Sequence, residues 1–178
     1  MTLLDFFKNT SNLKNISRQG WIDKLSIEHP ESVADHSYSM AIMAMIISDL
    51  ENYNSEKILK MVLLHDLAES KIGDLTPDQI SKDKKEQIEN NAFYEIIEKL
   101  PNSIKLQYGE IWEEYQNQIS HESQIVHQID RLEMALQAKI YEKSSLSKKD
   151  ISPFLETAKA DITHPKLKEL FTKIIEDK

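Results

Sequence analysis

No cysteine occurs in the sequence, so a disulfide framework and thiolate chemistry are both excluded. Glycine (3) and proline (5) are scarce among the 178 residues. So few backbone breakers, in a chain rich in Leu, Ile, Lys and Glu, predict helices rather than turn-rich β structure. No apolar run approaches the roughly 20 residues that a bilayer-spanning helix needs. The stretch from Ala41 to Ile47 is far too short, so no membrane partner is expected. The opening residues Met-Thr-Leu-Leu-Asp-Phe-Phe-Lys lack a basic segment followed by an apolar one. A signal peptide is therefore not expected, and a cytoplasmic location is. Basic residues are in deficit: 22 Lys and Arg face 30 Asp and Glu, a formal net charge of −8. A nucleic-acid polymer is a poor partner for that balance. A small phosphorylated substrate is not, because one metal and one or two basic side chains neutralise a phosphate locally.

What is present is ordinary for a soluble globular protein, with 40% hydrophobic and 29% charged residues. The length suits one domain with one sizeable core. Periodicity predicts an all-α fold. A short amphipathic helix spans Met1 to about Thr10, with Leu3, Leu4, Phe6 and Phe7 available for burial, and a loop follows from Asn12 to Pro30. Ser32 is the expected N-cap of a helix running to about Leu50, along which Met40, Met43, Ala44 and Ile47 form a stripe. Ser55 is expected to cap the next helix, which ends near Glu69 or Ser70 before a turn at Gly73. Further helices are predicted over Lys82 to Leu100, Ile104 to Gln118 and Ser120 to Lys143. Ser152-Pro153 and His164-Pro165 open the last two.

The most informative string is His65-Asp66-Leu67-Ala68-Glu69, at the end of an otherwise apolar helix. An imidazole beside a carboxylate in an apolar surface is costly unless something compensates both, as a divalent metal does. His36 shares a helix side with Met40, Met43 and Ile47, so its ring is expected to point inward. Asp130 interrupts another patterned helix between Ile129 and Leu132. Two imidazoles and two carboxylates suit Mn, Co, Fe or Ni, with Mg also compatible, and leave coordination positions open. Each residue alone has a plainer reading. His36 reads as a satisfied core histidine, and Asp130 as a partner for Arg131 or a neighbouring helix. Lys84 and Lys85 read as a solvated face, and His127 as structural.

Four segments carry a resemblance. They are Pro30-Glu31-Ser32-Val33-Ala34-Asp35-His36, His65 to Glu69, Gly73-Asp74-Leu75-Thr76-Pro77, and Gln128-Ile129-Asp130-Arg131-Leu132-Glu133. Together with Arg18-Gln19-Gly20-Trp21 and Leu136-Gln137-Ala138, they resemble the HD-domain superfamily, and within it the 5′-deoxynucleotidase group of the eukaryotic HD-domain type. The likeness runs from about residue 14 to residue 143. It implies a single HD domain over residues 1–178, with helices of about 151–178 added to that motif-bearing core. It implies His36, His65, Asp66 and Asp130 as metal ligands, Glu69 and Asp74 acting beside the metal, and Arg18 near the phosphate. It also implies a homodimer that hydrolyses deoxyribonucleoside 5′-monophosphates to deoxyribonucleoside and phosphate, often with Co or Mn. Trp21 is then a candidate to stack on the base or wall off the sugar, or else a core aromatic. Glu69 could orient or deprotonate the attacking water. Asp74 could position the nucleophile or protonate the leaving oxygen. Two other functions stay open: another HD phosphohydrolase (a phosphodiesterase, or a triphosphate or alarmone hydrolase), and a non-catalytic helical adaptor.

Overall fold

The computed structural model describes residues 2–144 and 149–177. The described residues form α1 (Leu3–Asn12), a 3-10 turn (Leu13–Asn15), α2 (Gln19–Leu25), α3 (Val33–Glu51), α4 (Ser55–Leu64) and α5 (Glu69–Ile72). They continue through α6 (Lys82–Ile97), α7 (Asn102–Asn117), α8 (His121–Lys143), α9 (Ser152–Asp161) and α10 (Pro165–Glu176). No strand occurs among them, as expected; one isolated bridge pairs Ser17 with Ser32.

Local chemistry sets the helix starts. The Ser32 hydroxyl accepts the Asp35 N–H at 3.1 Å, and the Asp35 carboxylate accepts the Ser32 N–H at 2.9 Å. This reciprocal box begins α3 one turn before His36. Asn54, one residue before the expected Ser55, caps α4 by accepting the Lys57 N–H at 3.1 Å. Asn52 and Gln118 end α3 and α7 in the left-handed region, at φ 57° and 51°.

The core lies where α3 packs along α4 and α8, with α7 against both α4 and α8. Phe93 of α6 stacks on Trp112 of α7 at 4.1 Å and 10°. Met40, Met61, Ile96 and Ile129 belong to the same core, all fully buried. Helices α9 and α10 both pack on α8. Beneath α9 lies a smaller cluster in which Trp21 and Leu25 meet Ala138, Tyr141 and Phe154.

Four expectations are corrected. The segment read as loop from Asn12 to Pro30 contains the 3-10 turn and α2, both too short to show a period. In α1, Leu3, Leu4 and Phe7 are exposed and Phe6 alone of the four packs on the core. Ser152 is the first residue of α9 rather than its cap; its N–H donates to the Asp150 carboxylate at 2.9 Å. Helix α4 stops at Leu64, earlier than periodicity suggested. There His65 Nδ1 lies 2.6 Å from the Val62 carbonyl oxygen. The backbone bonds that follow, Leu67 to Leu64 and Glu69 to Asp66, reach back three residues instead of four. This tight turn swings Asp66 and Glu69 to the same mouth of the fold.

Candidate active site

Four parts of the chain meet at one cavity of about 570 Å³. The bridge beside Ser17 and Ser32 brings Arg18 against the start of α3, where the Arg18 N–H donates to the Glu31 carbonyl at 3.1 Å. The turn after α4 supplies His65 and Asp66, α5 begins with Glu69, and α8 supplies Asp130.

His36, His65 and Asp66 offer ligand atoms that all lie within 4.8 Å of one another. Asp130 Oδ1 is 3.3 Å from His36 Nε2. Both imidazoles have their Nδ1 engaged, His65 with the Val62 carbonyl and His36 with Glu133 Oε2 at 2.7 Å. Both Nε2 atoms are buried without a hydrogen-bond partner. Asp66 Oδ2 approaches them at 3.0 Å (His65) and 3.9 Å (His36), close enough for attraction but not aligned as hydrogen bonds. Two orphaned ring nitrogens facing shared carboxylates are what a divalent cation would satisfy, so the residues present fit a metal.

The electrostatics agree. Burial and Arg18 work to lower the His36 pKa, but the nearby carboxylates of Asp130 and Glu133 outweigh them and raise it to about 9. Burial would raise Asp66, yet His65, Arg18 and His36 hold it far below the usual carboxylate range. Asp130 is held low against its burial by His36, Arg131 and Arg18. Glu69 goes the other way. It is 2% exposed, and burial followed by repulsion from Asp66 and Asp74 pushes it well above its ordinary value. The cavity thus favours added positive charge.

Arg18 donates to Asp66 at 3.3 Å, and the carboxylates of Asp66, Asp130, Glu69 and Asp74 raise its own pKa against burial. Asp74 is anchored rather than free: its Oδ2 accepts the Gln19 N–H at 2.8 Å, capping the otherwise uncapped α2. Asp130 does pair with Arg131, at 3.3 Å, while also facing His36. Arg131 continues to Asp161 of α9 at 3.0 Å.

The HD domain family matches residues 10–170. The chain belongs to that family. This HD domain is 36% identical to the human protein named 5′-deoxynucleotidase HDDC2 over 174 residues, 97% of this chain and 84% of that one. It is 37% identical to the Dictyostelium discoideum protein of the same name over 186 residues, 98% of this chain and 97% of that one. A conserved hypothetical protein from Pyrococcus furiosus shares the fold, with a TM-score of 0.76 and 29% identity, covering 97% of this chain and 99% of that one.

Trp21 lines this HD domain's cavity although it is almost wholly buried. It is 3% exposed, donates from Nε1 to Glu31 at 2.9 Å and packs on Phe154 at 4.5 Å. Three contributors escaped the sequence reading. Lys85 is not on a solvated face: it lines the cavity, donates to the Leu75 carbonyl at 2.7 Å and feels Glu89, Glu69 and Asp74. Phe154 reaches the cavity from α9, which no motif marked. Glu133 had a usable signal, since it lies one turn after Asp130 on the same helix side. His127, read as structural, stacks on Tyr115 at 4.1 Å and 2°, with Nε2 2.9 Å from the Tyr115 carbonyl oxygen.

Proposed function

We propose that this chain is a metal-dependent phosphohydrolase that converts deoxyribonucleoside 5′-monophosphates to deoxyribonucleoside and phosphate. The observation that carries the reading is the pair of buried, unpartnered Nε2 atoms of His36 and His65 facing Asp66 beside Arg18. The names of the human and Dictyostelium relatives supply the substrate class. His36, His65, Asp66 and Asp130 would hold the ion, a donor set suited to Mn, Co, Fe or Ni. When bound, such an ion supplies Lewis acidity toward a phosphate oxygen and toward water.

The chain's own groups do the rest. Arg18 presents a planar fork to the non-bridging phosphate oxygens, in place of its single 3.3 Å contact with Asp66. Lys85, which also lines the cavity, adds a second positive charge. Glu69 Oε2 is buried and unpartnered, beside the space a phosphate would fill. It accepts the proton of the attacking water as the oxygen bonds to phosphorus, and returns it to the 5′ oxygen as the P–O bond breaks. Asp74, fixed by the Gln19 N–H, orients that water. Trp21 and Phe154 form the apolar end that receives the nucleoside.

The whole chain acts as one HD domain in this reading, since α9 and α10 pack on α8 and α9 contributes to the cavity. It acts as a homodimer: Tyr38, Ile42, Ile46 and Leu50 recur every fourth residue along the exposed side of α3. No helix among the described residues is long and apolar enough to cross a membrane, and the chain works as a cytoplasmic enzyme in this reading.

The test is metal analysis of the purified protein, then phosphate release from a panel of nucleotides with added Mn or Co. Phosphate and nucleoside from deoxynucleoside monophosphates, with loss of metal and turnover in Asp66→Ala, is the expected result. No release from any nucleotide, or unchanged metal content in D66A, overturns it. Pyrophosphate or an opened cyclic ester as product would assign a different phosphohydrolase activity.

A further inference from the structure

Glu133 is 2% exposed, on a helix whose other buried residues, Ser123 apart, are hydrophobic. A carboxylate so buried is costly unless paired and hydrogen-bonded. Its partner is His36, 97 positions away in sequence, whose ring is 0% exposed. Glu133 Oε2 meets Nδ1 at 2.7 Å, while Asp130, one turn earlier on α8, meets Nε2 at 3.3 Å. Helix α8 therefore sets a carboxylate beside each nitrogen of one imidazole, hydrogen-bonded at Nδ1 and only facing Nε2. Behind Glu133 stands Glu31, placed within 4.8 Å of the Glu133 and His36 donor atoms. Glu31 is itself tied down: its carboxylate accepts Trp21 Nε1–H at 2.9 Å and its backbone N–H donates to the Tyr141 hydroxyl at 2.8 Å.

We propose that Glu133 is the positioning residue of the metal centre: it holds the proton of His36 on Nδ1 and leaves the Nε2 lone pair facing Asp66 and Asp130. The proposal rests on the ligand set given above. An imidazole can bind a cation through Nε2 only if the remaining proton sits on Nδ1, and the hydrogen bond at Nδ1 decides that. His65 achieves this with a backbone carbonyl three residues back in its own turn. His36 lies within regular α3, where the backbone carbonyls are engaged in the helix, so a side chain must do it. Glu31, His36 and Glu133 could by proximity be taken for a second cation site. Yet the 2.7 Å Nδ1 contact is already a complete hydrogen bond, and Glu31 is occupied by Trp21.

The test measures Mn²⁺ binding alone, by competition with a chelator, alongside a thermal melt of each metal-free variant. E133A is expected to weaken Mn²⁺ by roughly 10–100-fold, the usual effect of removing a ligand's hydrogen-bond partner. E133Q is expected to restore wild-type affinity, because its Oε1 accepts the Nδ1–H while its amide faces Glu31. E31Q is expected to leave affinity unchanged. Should E133A fail to fold, E133M, which fills similar volume without an acceptor, takes its place. If E133A binds Mn²⁺ like wild type while D66A does not, the positioning role is overturned and the ligand set stands. Equal losses in E133A and E133Q overturn it too, since charge rather than an acceptor would then matter. If wild type and D66A bind Mn²⁺ equally, the ligand set itself fails and the positioning role with it.

Discussion

Replacing Gly73 by Ala should destabilise the protein and impair turnover without any steric clash. Gly73 closes α5 at φ 80° and ψ 167°, a backbone region essentially restricted to glycine. A Cβ added there meets no atom within 4 Å, so packing neither opposes nor rewards it. The cost is backbone strain alone, about 1–3 kcal/mol. For a chain of this length that corresponds to a melting temperature lower by about 2–12 °C. Relaxing the strain rotates the next residue, Asp74, whose Oδ2 holds the Gln19 N–H at 2.8 Å beside Arg18. Displacement of such a group by about 1 Å costs up to about 100-fold in rate, so kcat/KM should fall well beyond what stability explains. Gly20 provides the control. It also has nothing within 4 Å of an added Cβ, but it lies inside α2 without a positive φ. Gly20→Ala should therefore stabilise, by about 0.4–1 kcal/mol. Urea unfolding of both variants and steady-state kinetics of G73A decide the matter. If G73A and G20A shift stability in the same direction, or G73A matches wild type in both assays, the reasoning about Gly73 is wrong.

Arg18→Lys keeps the charge but loses the planar fork. With a charged hydrogen bond contributing about 1.5–3 kcal/mol, KM for a deoxynucleotide should rise by roughly 10–150-fold, and an unchanged KM would remove Arg18 from the phosphate. Trp21→Phe keeps the ring against Phe154 but strips Glu31 of its donor. Urea titration should show about 1–3 kcal/mol lost, and unchanged stability would show that the Glu31 hydrogen bond does not hold the fold. Ile46→Glu sets a charge in the apolar row on α3. Sedimentation should show a dimer becoming a monomer, and identical behaviour of the two proteins would exclude that face.

The helices that were legible in the sequence are the long ones with one wet and one dry side. In α8, Ile125, Ile129 and Leu132 are buried as their spacing required. Helix α3 was legible for a different reason. It is apolar nearly all round, and its inner stripe was correct, but nothing in the pattern said that Ile42 and Ile46 stay exposed. Helix α2 was invisible because seven residues make fewer than two full turns, too few for a period to emerge. Its existence depends on groups far along the chain: Asp74 caps its start, and Trp21 and Leu25 are buried against Tyr141 and Phe154.

The same distinction explains the site. His36, His65, Asp66 and Asp130 stood out because each is a polar residue where an apolar one was due, and such interruptions are costly enough to need a reason. Lys85 did not stand out, since a lysine among charged neighbours looks the same whether it faces solvent or a cavity. Only the turn that brings the Leu75 carbonyl within 2.7 Å of its ammonium separates the two. Glu69 shows the limit most clearly. Periodicity placed it on the same helix side as His65, at the negative end of a helix dipole. In the folded chain the helix has already broken, and Glu69 starts α5 instead. The break follows from His65 Nδ1 engaging Val62, which is the same contact that frees Nε2 for a cation. One hydrogen bond thus both orients a candidate ligand and turns the backbone so that Glu69 faces the cavity. Periodicity records where a helix can exist, whereas this contact determines where it stops.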